Sequence, residues 1–497
     1  MLPFNRFKQL LILTALTFWY CTPPPPPRTP DARPVERPAS SATPTSADSG
    51  GQPAATDDFD FASAFDETTG PAPVPSEPVV AESFLLHPVT EAADQPVPAE
   101  PAKRPAGPPR DIPLAVPTTR VRVVLFENRK NFTFYSAGSV RFDDGVKRRG
   151  PWQSGRFTIA AGGRGEQAMV TTASGARFRF SLPCTLAVEN SYNYIDIEEN
   201  SFRGGLLFTA GDPGVSVINV LPVEEYLRGV VALEIGRRAE ADMEALKAQA
   251  VAARTYTYKK IVERRSEPYD LQATVADQVY GGVNAEFRTT DKAVKLTDGQ
   301  VMVWNDSIVF AYYHSTCGGS TADIEDVWDK PPYPYLRSIS DRDPKGAAWC
   351  AASAYSSWNE SWSVDQLSQL LARFAPSVLS AGTYKGTFKD LMILGHAGCG
   401  RISLLRILSS QGSCEVKGDK IRFALRRPAA GNPILQSARF SVTDVTRSRV
   451  SVRGSGNGHG VGMCQMGAIG RARAGMSCEQ ILKAYYTGID IRRVRAE

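Results

Sequence analysis

The placement of proline constrains this chain more than any other feature. Of its 36 prolines, 24 fall within residues 1–118 of the 497. A stretch rich in Pro and Ala, with few large apolar side chains, cannot bury enough surface to offset its ordering entropy. The foldable part is therefore residues 119–497, and residues 22–118 read as a disordered linker. Charge divides the same way. The linker holds 6 Lys/Arg against 14 Asp/Glu, and residues 119–497 hold 49 against 38. A basic globular part on an acidic tether suits a polyanionic partner such as nucleic acid, anionic lipid or a wall polymer. Ordinary surface charge explains the same balance.

Residues 1–21 read as an export signal. Arg6 and Lys8 form a charged start, and Leu10 to Tyr20 form a short apolar core. Export places the protein in the cell envelope, periplasmic or extracellular, and removes nucleic acid from the partners. Cys21 stands where a lipid anchor attaches, although Trp19 and Tyr20 occupy places where small residues are usual. The membrane is then reached only through that anchor, because no later apolar run attains the ~20 residues of a spanning helix. In an oxidising compartment the seven remaining cysteines can pair, with one left over. Cys399 with Cys414 is the first expected bridge, and Cys317 with Cys350 the second.

The folded part reads as α+β, in four pieces. Residues 119–220 carry short β-type runs such as VRVVLF (121–126), GRFTIAA (155–161) and VSVINVL (215–221). Residues 221–345 open with the apolar run VEEYLRGVVALEI, followed by a buried helix on which Met243, Leu246, Ala250, Ala253 and Thr257 recur at helical spacing. A hairpin around Asn305-Asp306 follows. Residues 346–452 read as an insertion with a helix at 363–374 and β structure from about 385. Residues 453–497 hold a glycine-rich loop and two helices separated by Ala474-Gly475.

Glu234 closes an apolar run, Val-Val-Ala-Leu-Glu-Ile-Gly. Desolvation there raises a carboxyl's pKa and lets it carry a proton near neutrality. The alternatives are a cap for the following helix or a pair with Arg237. Lys247 and Arg254 share a helix face seven residues apart, where either salt bridges to Glu240 or Glu244 or a ligand's carboxylates would engage them. His314-Ser315-Thr316-Cys317-Gly318-Gly319 suggests a thiol nucleophile or the start of a metal site, but no third orienting partner and no CxxC accompanies it. The loop GSGNGHGVGM (454–463) fits neither a dinucleotide fingerprint nor a phosphate loop. Its alternating glycines allow close backbone approach, to a ligand or to a packed neighbour.

Three segments stand in order: YLRGVVALEIG…EALKAQAVAARTY, FAYYHSTCGGSTADIEDVW…PPYPYLRSISD and GSGNGHGVGMCQMGAIGRARAG…ILKAYYTGIDI. Together they resemble the sporulation protein D/LytB domain of bacterial cell-wall proteins, over roughly 120–495. The resemblance implies action on peptidoglycan glycan strands. Its best-known members are lytic transglycosylases, and others are described as stimulating a wall amidase. Glu234 matches the catalytic acid, although this chain has Ala-Leu-Glu-Ile-Gly where the family has a Ser-Glu-Met-Pro-like turn. By the same likeness Lys247, Gln249, Arg254, His314, Ser315, Gly318, Gly319, His459 and Gln465 are substrate-binding candidates. The family usually has Ser at the Cys317 position, which speaks against a thiol nucleophile. A lone glutamate suffices for such chemistry, so no metal and no cofactor is called for. A non-catalytic wall-binding module and a thiol or metal hydrolase built on His314 and Cys317 are the competing readings.

Overall fold

The computed structural model describes residues 114–162, 166–189, 193–212 and 214–496. The expected signal (1–21), the anchor residue Cys21 and the linker as far as residue 113 lie outside the described residues. The linker's expected end at 118 is corrected. Leu114–Val116 is a strand, paired in parallel with the C-terminal strand Asp490–Ala496. Prolines 113 and 117 bracket it, marking the ends of an edge strand and not a continuation of the unstructured composition.

The fold is mixed α+β. Two sheets built mainly from residues 120–222 face each other. One has seven strands and includes Arg120–Arg129, Val140–Asp143, Gly205–Gly211 and Gly214–Pro222; the other has six and includes Asn131–Ser136, Gly155–Ala161 and Arg177–Ser181. Alternation decides which side chains meet between them. Phe142 of the first sheet stacks on Phe180 of the second at 5.1 Å, and within the second sheet Phe134 stacks on its cross-strand partner Phe157 at 5.1 Å.

Strand Gly214–Pro222 runs directly into helix α1 (Val223–Ile235), with Pro222 at the junction. The run VEEYLRGVVALEI is thus a helix in its own right. Tyr226, Leu227, Val230, Val231 and Ile235 line its buried face at three- and four-residue steps. Helix α2 (Met243–Glu263) follows and is enclosed on nearly every side, with Ala245, Ala248, Ala250, Ala252 and Ala253 inaccessible. Small side chains let it lie close to α1 and to α3 (Arg288–Leu296). Asn305 and Asp306 take positive φ (49° and 60°) between paired strands Gln300–Trp304 and Ser307–Ile308, as the hairpin turn requires.

A second apolar cluster, running from Trp358 to Val452, gathers helix Val364–Phe374 with strands Phe388–His396, Ile402–Ser409, Gly412–Lys417 and Arg449–Gly454. The two C-terminal helices are Gln465–Arg473 and Cys478–Tyr485. Among the described residues no helix is long and apolar enough to cross a membrane.

Candidate active site

Glu234 lies in the last turn of α1. Its Oε1 accepts a hydrogen bond from the Val279 amide at 2.9 Å. Gly229 explains how that amide comes so near. A Cβ at Gly229 would lie 2.6 Å from the Tyr280 ring and 2.7 Å from the Gly282 carbonyl, so only glycine lets the 279–282 segment pack against the helix. The hydroxyls of Tyr226 and Tyr313 lie close enough for the Glu234 charge to push them further up, after burial itself. Burial dominates at Glu234 and outweighs the Val279 amide, pushing the carboxyl up to about 7. A helix C-terminus, with its partial negative charge, is also a poor place for an anion.

The carbonyl of Glu234 is one of the four that an α-helix leaves unpaired at its end. The Gln465 side-chain amide donates to it at 2.9 Å and to Gln249 Oε1 at 3.3 Å. Two glutamines, from α2 and from helix Gln465–Arg473, therefore hold the end of α1. Both are buried, so they position the acid's backbone where the sequence reading had them binding substrate. Arg238 secures the next carbonyl, that of Ile235, at 3.1 Å. Neither alternative for Glu234 is what its contacts show: its carboxylate takes the Val279 amide, and Arg237 lies over the Phe287 ring.

Several other candidates are corrected. Arg254 is inaccessible and clamps Glu224 of α1 through two bonds of 2.7 Å. Its remaining donors reach Thr297 and the carbonyls of Ala250, Val294 and Gln300. It fastens α1 to α2 and has nothing to offer a ligand. Lys247 pairs with Glu244 at 2.8 Å. Two positions from Gln249, it points about 200° away around the helix.

The glycine-rich loop approaches a neighbour and not a ligand. Gly458 and Gly462 have positive φ (104° and 71°), and a Cβ there would lie 2.8 Å from His314 Cβ and 2.1 Å from the Tyr312 carbonyl. His459 spends both ring nitrogens on backbone. Its Nδ1 accepts from the Val461 amide at 3.1 Å, so Nε2 carries the hydrogen and donates to the Tyr313 carbonyl at 2.9 Å. Burial lowers its pKa to about 4. His314 is buried and donates from Nδ1 to the Val461 carbonyl at 3.2 Å, and burial holds it well below the ordinary histidine range. His459 has no ring nitrogen to spare, whereas Nε2 of His314 is buried without a hydrogen-bond partner.

The Gly319 amide donates to Cys317 Sγ at 3.2 Å, so it too is committed inward. Gly318, at φ 78°, packs where a Cβ would lie 2.8 Å from Ser455 Oγ. Ser315 remains half-exposed, its hydroxyl 3.2 Å from that of Thr316. Cys317 Sγ faces Asp341 and Cys350, whereas His314 bonds Val461, so the pair does not assemble a nucleophile. The expected bridges are not formed. All seven described cysteines are free, the Cys317 and Cys350 sulfurs are 3.6 Å apart, and Cys399 and Cys414 belong to different apolar clusters.

Sequence reasoning missed Tyr313 and Gln278, and the structure adds an aromatic band. Gln278 bridges the hydroxyls of Tyr226, Thr257 and Tyr313 at 3.0–3.2 Å. From His459 the band continues to Trp328 (4.8 Å), Tyr312 (4.9 Å from Trp328), Phe310 and Tyr333, with Lys330 above three of the rings. It opens into a surface pocket of about 380 Å³ lined by Lys259, Trp304, Phe310, Tyr333 and Tyr335. Tyr280 is core: it packs on Tyr226 and Phe202. The FAYYH and PPYPY runs carried the signal, which periodicity could not separate from core aromatics.

The arrangement concentrates on one protonatable carboxyl, fixed by an amide and by two glutamines beneath it. Comparison with known proteins agrees in location. A stage II sporulation protein family model matches residues 212–304, which contain Glu234, α1 and α2. A model for a domain of unknown function matches residues 350–462, the second apolar cluster. An uncharacterized protein of Brachyspira hyodysenteriae is 29% identical over 293 residues, covering 58% of this chain and 72% of its own. The amidase enhancer of Bacillus subtilis is 32% identical over 292 residues, covering 53% of this chain, but this chain spans only 39% of that longer protein. Stage II sporulation protein D of Bacillus amyloliquefaciens is 30% identical over 292 residues, 56% of this chain and 75% of its own. With three-quarters of that relative matched and the family model lying over the very helices that present Glu234, the chain belongs to the stage II sporulation protein D family.

Proposed function

We propose that this protein is a peptidoglycan lytic transglycosylase with Glu234 as its acid and then its base. One observation carries the reading: a single carboxyl, pushed up to about 7 by burial, with its position fixed from both sides. Hydrolytic glycosidases need a second carboxylate for water or a covalent intermediate. An intramolecular route does not. Protonated Glu234 gives its proton to the glycosidic oxygen as the C1–O bond breaks. The resulting carboxylate takes the proton of the sugar's own C6 hydroxyl as O6 bonds to C1, which closes a 1,6-anhydro ring and restores the acid. A carboxyl balanced near neutrality performs both transfers with little driving-force penalty. The aromatic band from Trp328 to Tyr335 supplies stacking faces for sugar rings, in place of the histidines and arginine first considered.

The same reading places the chain in the cell envelope, exported and tethered at Cys21 where that residue is lipidated, with glycan strands as partner. The amidase enhancer relative favours a second reading, a wall-binding module that stimulates an amidase. Mass spectrometry of peptide-stripped glycan incubated with the wild type and with Glu234→Gln separates them. Anhydro-muramyl ends from the wild type alone support the enzyme. Products from neither, with both proteins folded and retained on wall material, move the assignment to the module. Equal activity in Glu234→Gln sinks the role given to Glu234.

A further inference from the structure

The fold gathers a buried group of side chains that the proposed reaction does not use. The sulfurs of Cys317, Cys350 and Cys464 and a carboxylate oxygen of Asp341 all lie within 4.8 Å of one another, and all four residues are buried. They come from three separate stretches of chain, brought together by the fold. Cys317 Sγ is 3.6 Å from Cys350 Sγ and 3.1 Å from Asp341 Oδ2. A tetrahedral zinc with ordinary Zn–S and Zn–O bonds needs ligand separations of roughly 3.6–3.8 Å, which the two sulfurs meet, while the Asp341 oxygen would move slightly away from Cys317 to ligate. A disulfide needs about 2.05 Å.

The surroundings are those of metal-bound thiolates. Backbone amides donate to the sulfurs: Gly319 to Cys317, and both Cys317 and Gly467 to Cys464, each at 3.2 Å. The turn that aims the Gly319 amide back at sulfur requires φ 99° there, and a Cβ would lie 2.9 Å from Arg342 Nη2. The other oxygen of Asp341 is held by Arg471 at 3.0 and 3.2 Å, and Tyr485 bonds the carboxylate at 2.9 Å. A ligating carboxylate fixed by outer hydrogen bonds is the usual second layer of a metal site.

We propose that Cys317, Cys350, Cys464 and Asp341 bind one zinc-class divalent cation as a closed structural site. Four protein ligands leave no open position, which separates this site from a catalytic one. Binding releases the thiol protons to solvent. The ion ties the turn after His314 to the segment 341–350 and to the strand Met463–Cys464, whose next residue is Gln465. It therefore braces the platform on which Glu234 rests without touching the reacting groups. His314, once grouped with Cys317 as a metal candidate, is not among the ligands.

The test uses the full chain purified without chelator from zinc-supplied medium. Elemental analysis should find about one zinc per chain, and cobalt(II) exchanged into the protein should give the charge-transfer and visible bands of a tetrahedral thiolate site. Alkylating the three thiols should release the zinc, and chelation should lower the melting temperature. Cys350→Ser and Cys464→Ser should lose the metal, whereas Cys184→Ser should keep it. The wild-type cobalt spectrum decides even where a variant fails to fold. Wild type without metal and with three free thiols overturns the proposal. So does a Cys317–Cys350 disulfide in unreduced peptide maps, or zinc retained by the Cys350→Ser/Cys464→Ser double variant.

Discussion

Two carboxylates show how differently the two apolar clusters are built. Glu360, in the 350–462 segment, meets Arg427 at 2.6 Å and Gln436 at 2.7 Å. Glu234, beside the first cluster, is met by one amide. Burial without a counter-charge is costly, and the group responds by holding its proton. A carboxylate answered by a guanidinium serves the fold, and one left without a cation is poised for proton transfer. The largest expected effect follows from that contrast. Glu234→Gln should lower glycan cleavage by about 10²–10⁴-fold, the usual reach of one general acid–base group. Glu360→Gln should leave turnover within a few-fold, read by release of anhydro products. Comparable losses in both would break the contrast.

Arginines repeat the comparison on stability. Arg254 is inaccessible, with every donor bonded across α1, α2 and the 294–300 segment. Arg254→Met should cost about 3–5 kcal/mol, because buried carbonyls and Glu224 lose their partners together. Arg427 is 28% exposed. Arg427→Met should cost about 1 kcal/mol, since water can replace part of the pair. Urea unfolding of both variants reads the difference. A cost at Arg254 below that at Arg427 would show that the α1–α2 clamp is not what holds Glu234's helix.

Acidity provides a third contrast, within the site itself. Glu234 is raised from 4.5 to about 7, so the folded protein keeps a proton that the unfolded chain releases. That contribution is intact below pH 4.5 and is lost as pH rises toward 7, amounting to on the order of 3 kcal/mol. Glu234→Gln should therefore gain stability over wild type at pH 8 and not at pH 4. His459, lowered to about 4, acts in the opposite sense: its contribution is present above 6.5 and is lost as pH falls toward 4. Melting curves across pH 4–8 for wild type and Glu234→Gln should differ increasingly from pH 4.5 upward. Parallel curves would mean that the carboxyl is not raised. Turnover, which begins from protonated Glu234, should fall above about pH 7.

What could be read from the sequence follows from how local each feature is. Strand Arg177–Ser181 alternates exposed and buried at every residue, so period two revealed it. Helix α1 stayed hidden because Gly229 and a Val-Val pair weaken helix propensity, and the reason for Gly229 is the Tyr280 ring some fifty residues later. Glu234 was legible because its apolar context is local. The use of Arg254 was not, because its partner Glu224 lies thirty residues away on another helix. The glycine-rich loop announced close approach but not its object, which is the 312–317 segment. The thiols were legible as residues but not as a group, since Cys317 and Cys464 are 147 apart in sequence.

The smallest effect is expected where the second cluster meets solvent. Arg449 and Asp444 pair at 3.0 Å across strands Phe440–Val445 and Arg449–Gly454, with side chains 63% and 34% exposed. Water screens such a pair, and holding two long side chains in register costs entropy, so Arg449→Ala should change stability by less than about 0.5 kcal/mol. The remaining effect should fade in 1 M salt, where the screening length falls to about 3 Å. Arg203–Glu286 is both shorter and more enclosed, at 2.5 Å and only 13% and 11% exposed. That pair sits next to α1, since Glu286 also bonds Arg228 of the helix. Arg203→Ala should cost several times more than Arg449→Ala and should resist salt. Equal and salt-sensitive losses at both would mean that burial does not govern these ion pairs, and the distinction drawn between the two clusters would fall with it.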